Sequence, residues 1–204
     1  MSIILIRHGE TELNVARILQ PPETPLSSRG QQQAQAVAAR LATMQIGCLI
    51  SSDLPRAKQT ATAIASAARL SISYSSMLQE RNFGDLRGCA YDGFDYDPIA
   101  MEDAPPGGES LVTFRARVVQ ALALVCKSHA DSNGDVAVVT HGFFIRTMVE
   151  HCLALPGELG SSHRISNTSL TIFSPQPPHR IEVINDCGHL TAELSDDVRS
   201  LSGS

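Results

Sequence analysis

Four apolar residues in a row, Ile3-Ile4-Leu5-Ile6, are closed abruptly by Arg7-His8. A short, continuous run rich in β-branched residues predicts a buried strand of the kind found in parallel sheets covered on both faces. The period then changes. Ala34, Val37, Ala38 and Leu41 fall at i, i+3, i+4 and i+7, which predicts a helix opening at Leu26-Ser27-Ser28 and running to about Met44. Cys48-Leu49-Ile50 reads as a second strand that ends in Ser51-Ser52-Asp53. Asp53 is the expected N-cap of the next helix, with Pro55 in its first turn and Ala57, Ala61, Ile64 and Ala68 along one side. Ile72 to Tyr74 suits a third strand.

Residues 84–109 break this rhythm. They are rich in glycine and proline and poor in aliphatics, which predicts an irregular, cap-like excursion. Ser110 then caps a strong helix to about Lys127, whose inner face carries Phe114, Val118, Ala121, Leu122 and Val125. Val136 to Val139 is the clearest central strand, His141-Gly142 follows it, and 143–154 reads as a helix. Two late strands are expected at 169–173 and 180–184, joined by a rigid Pro175-Gln176-Pro177-Pro178 loop. A polar, serine-rich tail after about residue 194 is expected to fray. Strands alternating with helices predict an α/β fold, a three-layer α/β/α sandwich around a mostly parallel sheet, formed by residues 1–204 as one domain. Ligands of such folds bind at the carboxyl ends of the strands.

Three polar clusters stand at those ends: Arg7-His8-Gly9, Ser52 to Arg56, and His141-Gly142. If their strands are neighbours, two arginines and two histidines meet on one edge, and Glu80 lies on the loop after the third strand. Guanidinium forks suit phosphate oxygens. A neutral imidazole beside a phosphoryl group is a nucleophile, and a carboxylic acid can protonate the departing oxygen. The chemistry assembled is phosphoryl transfer through a phosphohistidine.

Composition narrows the alternatives. The 204 residues are 43% hydrophobic and 18% charged, which excludes wholesale disorder. A net charge of -5 argues against a general nucleic-acid binder. The five cysteines contain no CxxC pair, so neither a zinc knuckle nor a disulfide framework is indicated, and a reducing compartment fits. The first apolar run is too short for a signal peptide and no window reaches the length of a membrane span, so a soluble, cytoplasmic protein is expected. His129, His151, His163, His179 and His189 carry no motif and read as structural or solvated, and the cysteines read as small core residues.

Taken together, the polar blocks resemble the signatures of the histidine phosphatase superfamily, the phosphoglycerate mutase-like proteins. Arg7-His8-Gly9-Glu10-Thr11 matches its first motif, with Asn14, Gln20 and Thr24-Pro25-Leu26 following. Residues 51–61 match its second arginine motif, and Glu80 to Gly88 its acid-bearing loop. Pro106-Gly107-Gly108-Glu109-Ser110 and Thr140-His141-Gly142 complete the series. The resemblance implies that His8 is the phosphorylated nucleophile, that Arg7, Arg56 and His141 hold phosphoryl oxygens, and that Glu80 is general acid and then base. It implies that Asn14 and Gln20 line the pocket, and that neither metal nor other cofactor is used. The implied partner is a small phosphorylated substrate, with no nucleic acid and no membrane, and a monomer or homodimer.

The superfamily contains both hydrolases and isomerases, and three features favour its phosphatase branch here. The chain is short, Gln20 stands where mutases have a small hydroxyl residue, and the stretch 80–103 carries seven acids against Arg81 and Arg87. An acidic cover would disfavour doubly anionic substrates. The alternatives are a phosphoglycerate mutase and a non-catalytic phosphate-binding protein of the same fold. Phe143, after the second histidine's glycine, departs from the family pattern and is expected to narrow the pocket or to wall the leaving group.

Overall fold

The computed structural model describes residues 1–155 and 164–195. His163 and nearly all of the tail beyond residue 194 lie outside the described residues. The elements in chain order are β1 (Ile3–Arg7), α1 (Glu12–Val15), α2 (Ser28–Leu41), β2 (Ile46–Ser51), α3 (Pro55–Ala68) and β3 (Ile72–Tyr74). They continue with α4 (Leu111–Ala130), β4 (Asp135–Thr140), α5 (Gly142–Cys152), β5 (Leu170–Phe173) and β6 (Ile181–Asp186). The stretch 84–109 has only two 3₁₀ turns, Gly84–Leu86 and Tyr91–Gly93, as its glycine and proline content predicts.

The sheet runs β3-β2-β4-β1-β5-β6. The first four strands are mutually parallel, β5 runs antiparallel to β1, and β6 runs antiparallel to β5. β4 is interior to the sheet, as its continuous apolar run Val136-Ala137-Val138-Val139 predicts. Alternation sorts the layers. Ile3, Leu5, Val136 and Val138 face Phe114, Val118 and Met148 of α4 and α5. Ile4, Ile6, Ala137 and Val139 face Val37, Leu41, Ala61 and Ile64 of α2 and α3. Both faces of β1 and β4 are therefore sealed, and the expected three-layer α/β/α sandwich is present.

Several boundaries move. α2 ends at Leu41 rather than Met44, and α4 extends to Ala130. Ser27 and Ser110 cap their helices by accepting the Gly30 and Thr113 amides. Asp53 is not a cap. Leu54 holds the N-cap position of α3 without a side-chain bond, and the Asp53 carboxylate instead accepts Gln79 Nε2 at 2.7 Å. A long-range partner outcompetes the local one. Cys89 is exposed, and Cys48, Cys126 and Cys152 pack against the core.

Candidate active site

Register brings the polar clusters together. Arg7 is paired with Thr140, and Ser51 with Val139, so His8, Ser52 and His141 all emerge at one sheet edge. Backbone bonds extend the ladder past the strands, from His8 N to Thr140 O and from Ser52 N to Val139 O, each 2.9 Å. Arg7, His8, Asn14, Gln20, Arg56 and Glu80 line one cavity above that edge. His141 lies just beneath, fully buried, its ring edge-on to His8 with centroids 5.1 Å apart.

His8 is buried, and its Nδ1 lies 2.7 Å from the carbonyl oxygen of Gly9. A carbonyl only accepts, so Nδ1 carries the proton and the lone pair is on Nε2. Burial, then Arg56 and Arg7, hold the His8 pKa well below its ordinary value of 6.5. The ring is thus neutral near pH 7. Its backbone is fastened by Asn167 Nδ2, which donates to the His8 carbonyl at 2.9 Å, and by Thr60 Oγ1, which accepts the Gly9 amide at 3.1 Å. Gly9 is small for a reason: a Cβ there would sit 2.5 Å from the Gly30 carbonyl oxygen.

The His141 ring meets Ser52 Oγ through Nε2 at 2.8 Å, while its Nδ1 is buried without a protein partner among the described residues. Burial is the largest cause depressing its pKa, followed by Arg56. Arg7 donates from Nη1 to Ile165 O at 2.6 Å, and its guanidinium passes under Gly142. Arg56 sits in the first turn of α3, where no acid offsets the positive end of the helix dipole. It reaches Pro21 O only at 3.4 Å, and its buried Nε has no partner among the described residues. Desolvation lowers its pKa to about 10, so it stays charged at neutral pH. A buried cation with spare donors is costly unless an anion arrives.

Glu80 supplies the carboxyl group. Its Oε1 accepts the Arg81 amide and its Oε2 the Phe143 amide at the start of α5, both at 3.0 Å. These bonds and the nearby arginines favour the anion, yet burial is the largest influence and raises the pKa above the ordinary 4.5. Other carboxylates in the matching blocks are spent elsewhere. Glu10 pairs with Arg29 at 3.1 Å and Glu109 with Arg117 at 2.8 Å, and neither lines the cavity. Asn14 Oδ1 accepts the Thr11 amide at 3.2 Å, and Gln20 Oε1 accepts the Thr11 hydroxyl at 3.0 Å. Among the described residues no group of three or more His, Cys, Asp or Glu side chains is placed to hold a metal ion.

The acidic cover is a correction. Of the stretch 80–103, the cavity is lined by Glu80, Arg81, Phe83, Arg87 and Ile99. The other six acids are absent from it; Asp92 pairs with Arg17, and Asp97 accepts the Tyr91 hydroxyl and the Ile99 amide. Counting charge along the chain did not reveal which way each side chain turns. Ser52, Thr60 and Asn167 were also missed as site residues. Ser52 stood in a motif block without a role, and Asn167 becomes relevant only because the chain returns beside His8. Phe143 walls the cavity, stacked on Phe114 at 5.1 Å, so the expected apolar wall is present.

Residues 3–186 match the family model of the histidine phosphatase superfamily, branch 1. The chain belongs to that superfamily. Among its relatives is the probable phosphoglycerate mutase GpmB of Salmonella choleraesuis, 30% identical, with 98% of this chain and 99% of the relative covered. The mycobacterial glucosyl-3-phosphoglycerate phosphatase structure is 28% identical, with a TM-score of 0.74 over 90% of this chain and 98% of that one. A variant of Entamoeba histolytica phosphoserine phosphatase, solved with phosphoserine, is 27% identical, with a TM-score of 0.75 over 93% and 99%. The enzyme class expected from the sequence, a phosphatase of this superfamily, is that of these solved relatives. Chain length is not a discriminator, because a relative bearing the mutase name aligns across nearly its whole length.

Proposed function

We propose that this superfamily member is a metal-independent phosphomonoesterase acting on small phosphorylated metabolites through a phosphohistidine on His8. The observation that carries the reading is the state of His8: neutral, with Nδ1 tied to Gly9 and Nε2 left as the nucleophile, in a cavity it shares with Glu80. Arg7, Arg56 and His141 hold the phosphoryl oxygens, the two guanidinium charges stabilising the transition state and the His141 ring adding a hydrogen bond. Nε2 attacks phosphorus, the N–P bond forms as the ester P–O bond breaks, and protonated Glu80 gives its proton to the leaving oxygen. The resulting carboxylate then takes a proton from water as that water attacks the phosphohistidine, releasing orthophosphate and restoring His8. Asn14 and Gln20 line the approach. Solved relatives named for glucosyl-3-phosphoglycerate and phosphoserine support small metabolites as the substrate class.

A second reading has one specific observation in its favour. The relatives named probable phosphoglycerate mutase align end to end, so transfer of the phosphoryl group back to an acceptor other than water is the alternative.

The test is phosphate release from p-nitrophenyl phosphate between pH 5 and pH 8 with chelator present, for the wild type and His8→Ala. Hydrolysis that vanishes in the variant supports the proposal; unchanged rates in His8→Ala overturn it. Incubation with 3-phosphoglycerate separates the readings, since interconversion to 2-phosphoglycerate without orthophosphate release would favour the mutase.

A further inference from the structure

Two successive peptide planes follow the His8 ring. The first joins His8 to Gly9 and is held at both ends, its carbonyl by Asn167 Nδ2 at 2.9 Å and its amide by Thr60 Oγ1 at 3.1 Å. The second joins Gly9 to Glu10. Its carbonyl is the one that meets His8 Nδ1 at 2.7 Å, and its amide donates to Gln33 Oε1 at 2.8 Å. A trans peptide is planar, with C=O and N–H pointing opposite ways. A hold on the Glu10 amide from one side therefore aims the Gly9 carbonyl at the ring on the other.

Gln33 is itself tied at both ends. It lies on α2, fully buried, and does not line the cavity. Its Nε2 donates to Leu194 O at 2.8 Å. Leu194 belongs to a turn in which its own amide and that of Ser195 both donate to Thr191 O at 3.0 Å. These two partners fix which way the side-chain amide faces, since an N–H needs its oxygen and a carbonyl needs its nitrogen. Arg29, one turn earlier on α2, repeats the arrangement. It donates from Nη1 to Glu10 Oε2 at 3.1 Å and from Nη2 to Ser195 O.

From this pair of bonds we infer that Gln33 is a positioning residue for the nucleophile. By holding the Gly9–Glu10 plane it keeps the proton of His8 on Nδ1 and leaves the lone pair on Nε2. Without it the plane can rotate, the Nδ1 bond loosens, and the ring samples the other tautomer, in which Nε2 carries the proton and cannot attack. Residues 191–195, which do not line the cavity, thereby become part of the support of the reacting atom.

The inference rests on attack by His8 in the phosphatase reading and goes beyond it. The test compares the wild type, Gln33→Leu and Gln33→Glu by two measurements. Proton–nitrogen NMR of the imidazole rings reads the His8 tautomer with no substrate present. Nδ1 should be the protonated nitrogen in the wild type, and in Gln33→Leu the two nitrogen shifts should move toward each other. For p-nitrophenyl phosphate, kcat/KM should fall about 10- to 100-fold in Gln33→Leu, while inhibition by orthophosphate, which reads Arg7 and Arg56, stays within about twofold. Gln33→Glu has the same shape, and at about pH 5 burial keeps the new carboxyl protonated, able to accept the Glu10 amide and donate to Leu194 O, so most of both readings should return. An unchanged tautomer or an unchanged kcat/KM in Gln33→Leu would overturn the assignment. So would an orthophosphate inhibition constant that worsens as much as kcat/KM, which marks a general loss of structure. Should Gln33→Leu not fold, Gln33→Asn, one methylene shorter, withdraws the acceptor from the Glu10 amide and is held to the same outcomes. No turnover by the wild type would count against the phosphatase reading, while the tautomer comparison still decides the role of Gln33.

Discussion

Arg117 grips Glu109 with two bonds, Nε to Oε1 at 3.0 Å and Nη2 to Oε2 at 2.8 Å. The same guanidinium donates to the carbonyls of Met77 at 2.9 Å, Gln79 at 2.7 Å and Glu80 at 3.3 Å. The segment carrying the acid is thus pinned to α4 by one side chain. We expect Arg117→Ala to lower kcat about tenfold for esters with poor leaving groups, with a smaller loss for p-nitrophenyl phosphate, because a misplaced acid matters only where a proton is needed. Arg117→Lys should restore part of the rate. Equal losses for both leaving groups, tracking a fall in Tm, would reduce Arg117 to a structural role.

Glu80→Gln removes the proton itself. Rates for poor leaving groups should fall by about 10²–10⁴, and less for good ones. Burial raises the Glu80 pKa, so the acid form persists above the ordinary 4.5, and turnover of poor leaving groups should decline as pH rises through the shifted value. That alkaline limb should be missing in the variant. A limb that survives unchanged would assign it to another group.

Gly142 lies against Arg7. A Cβ at that position would meet Arg7 Nε at 3.2 Å and Cζ at 3.3 Å. Gly142→Ala should displace the guanidinium and weaken competitive inhibition by orthophosphate about tenfold, since sub-ångström misplacement of an anion clamp is costly. The start of α5 itself accepts alanine well, so Tm should not fall. An unchanged inhibition constant would show that Arg7 adapts without loss.

Acid stability follows from three histidines. His8 and His141 are held well below 6.5, and burial, then Arg40, pushes His189 down to about 4. The unfolded chain takes up protons at these rings below about pH 6.5 while the native protein does not. Their contribution is therefore present above 6.5 and is lost as pH falls toward each depressed value. Urea unfolding should show stability dropping from pH 7 to pH 5. His189→Asn, which keeps a partner for Thr168 Oγ1, now 3.2 Å from His189 Nε2, should flatten part of that slope. A slope identical to wild type would remove His189 from the account.

Local pattern determined a good deal. Apolar runs of three or four β-branched residues between polar stops favour strands buried on both faces, and the 3.6-residue stripes of α2, α3 and α4 suit helices packed against them, so the layered fold was legible in the chain itself. Placing His8, Arg56 and His141 just beyond strand ends made their convergence predictable as well, because parallel neighbours share a carboxyl edge. Tertiary structure alone decided the rest. Whether Asp53 caps a helix or accepts Gln79, whether the acids of 84–109 face the cavity, and whether Gln33 reaches the Glu10 amide all depend on contacts between residues far apart in the chain. Irregular backbone imposes no period from which a side chain's direction could be read. The pairing of Asn167 with His8 spans 159 positions. No local rule reaches that far: only the return of the chain after α5 brings the two groups within hydrogen-bonding distance.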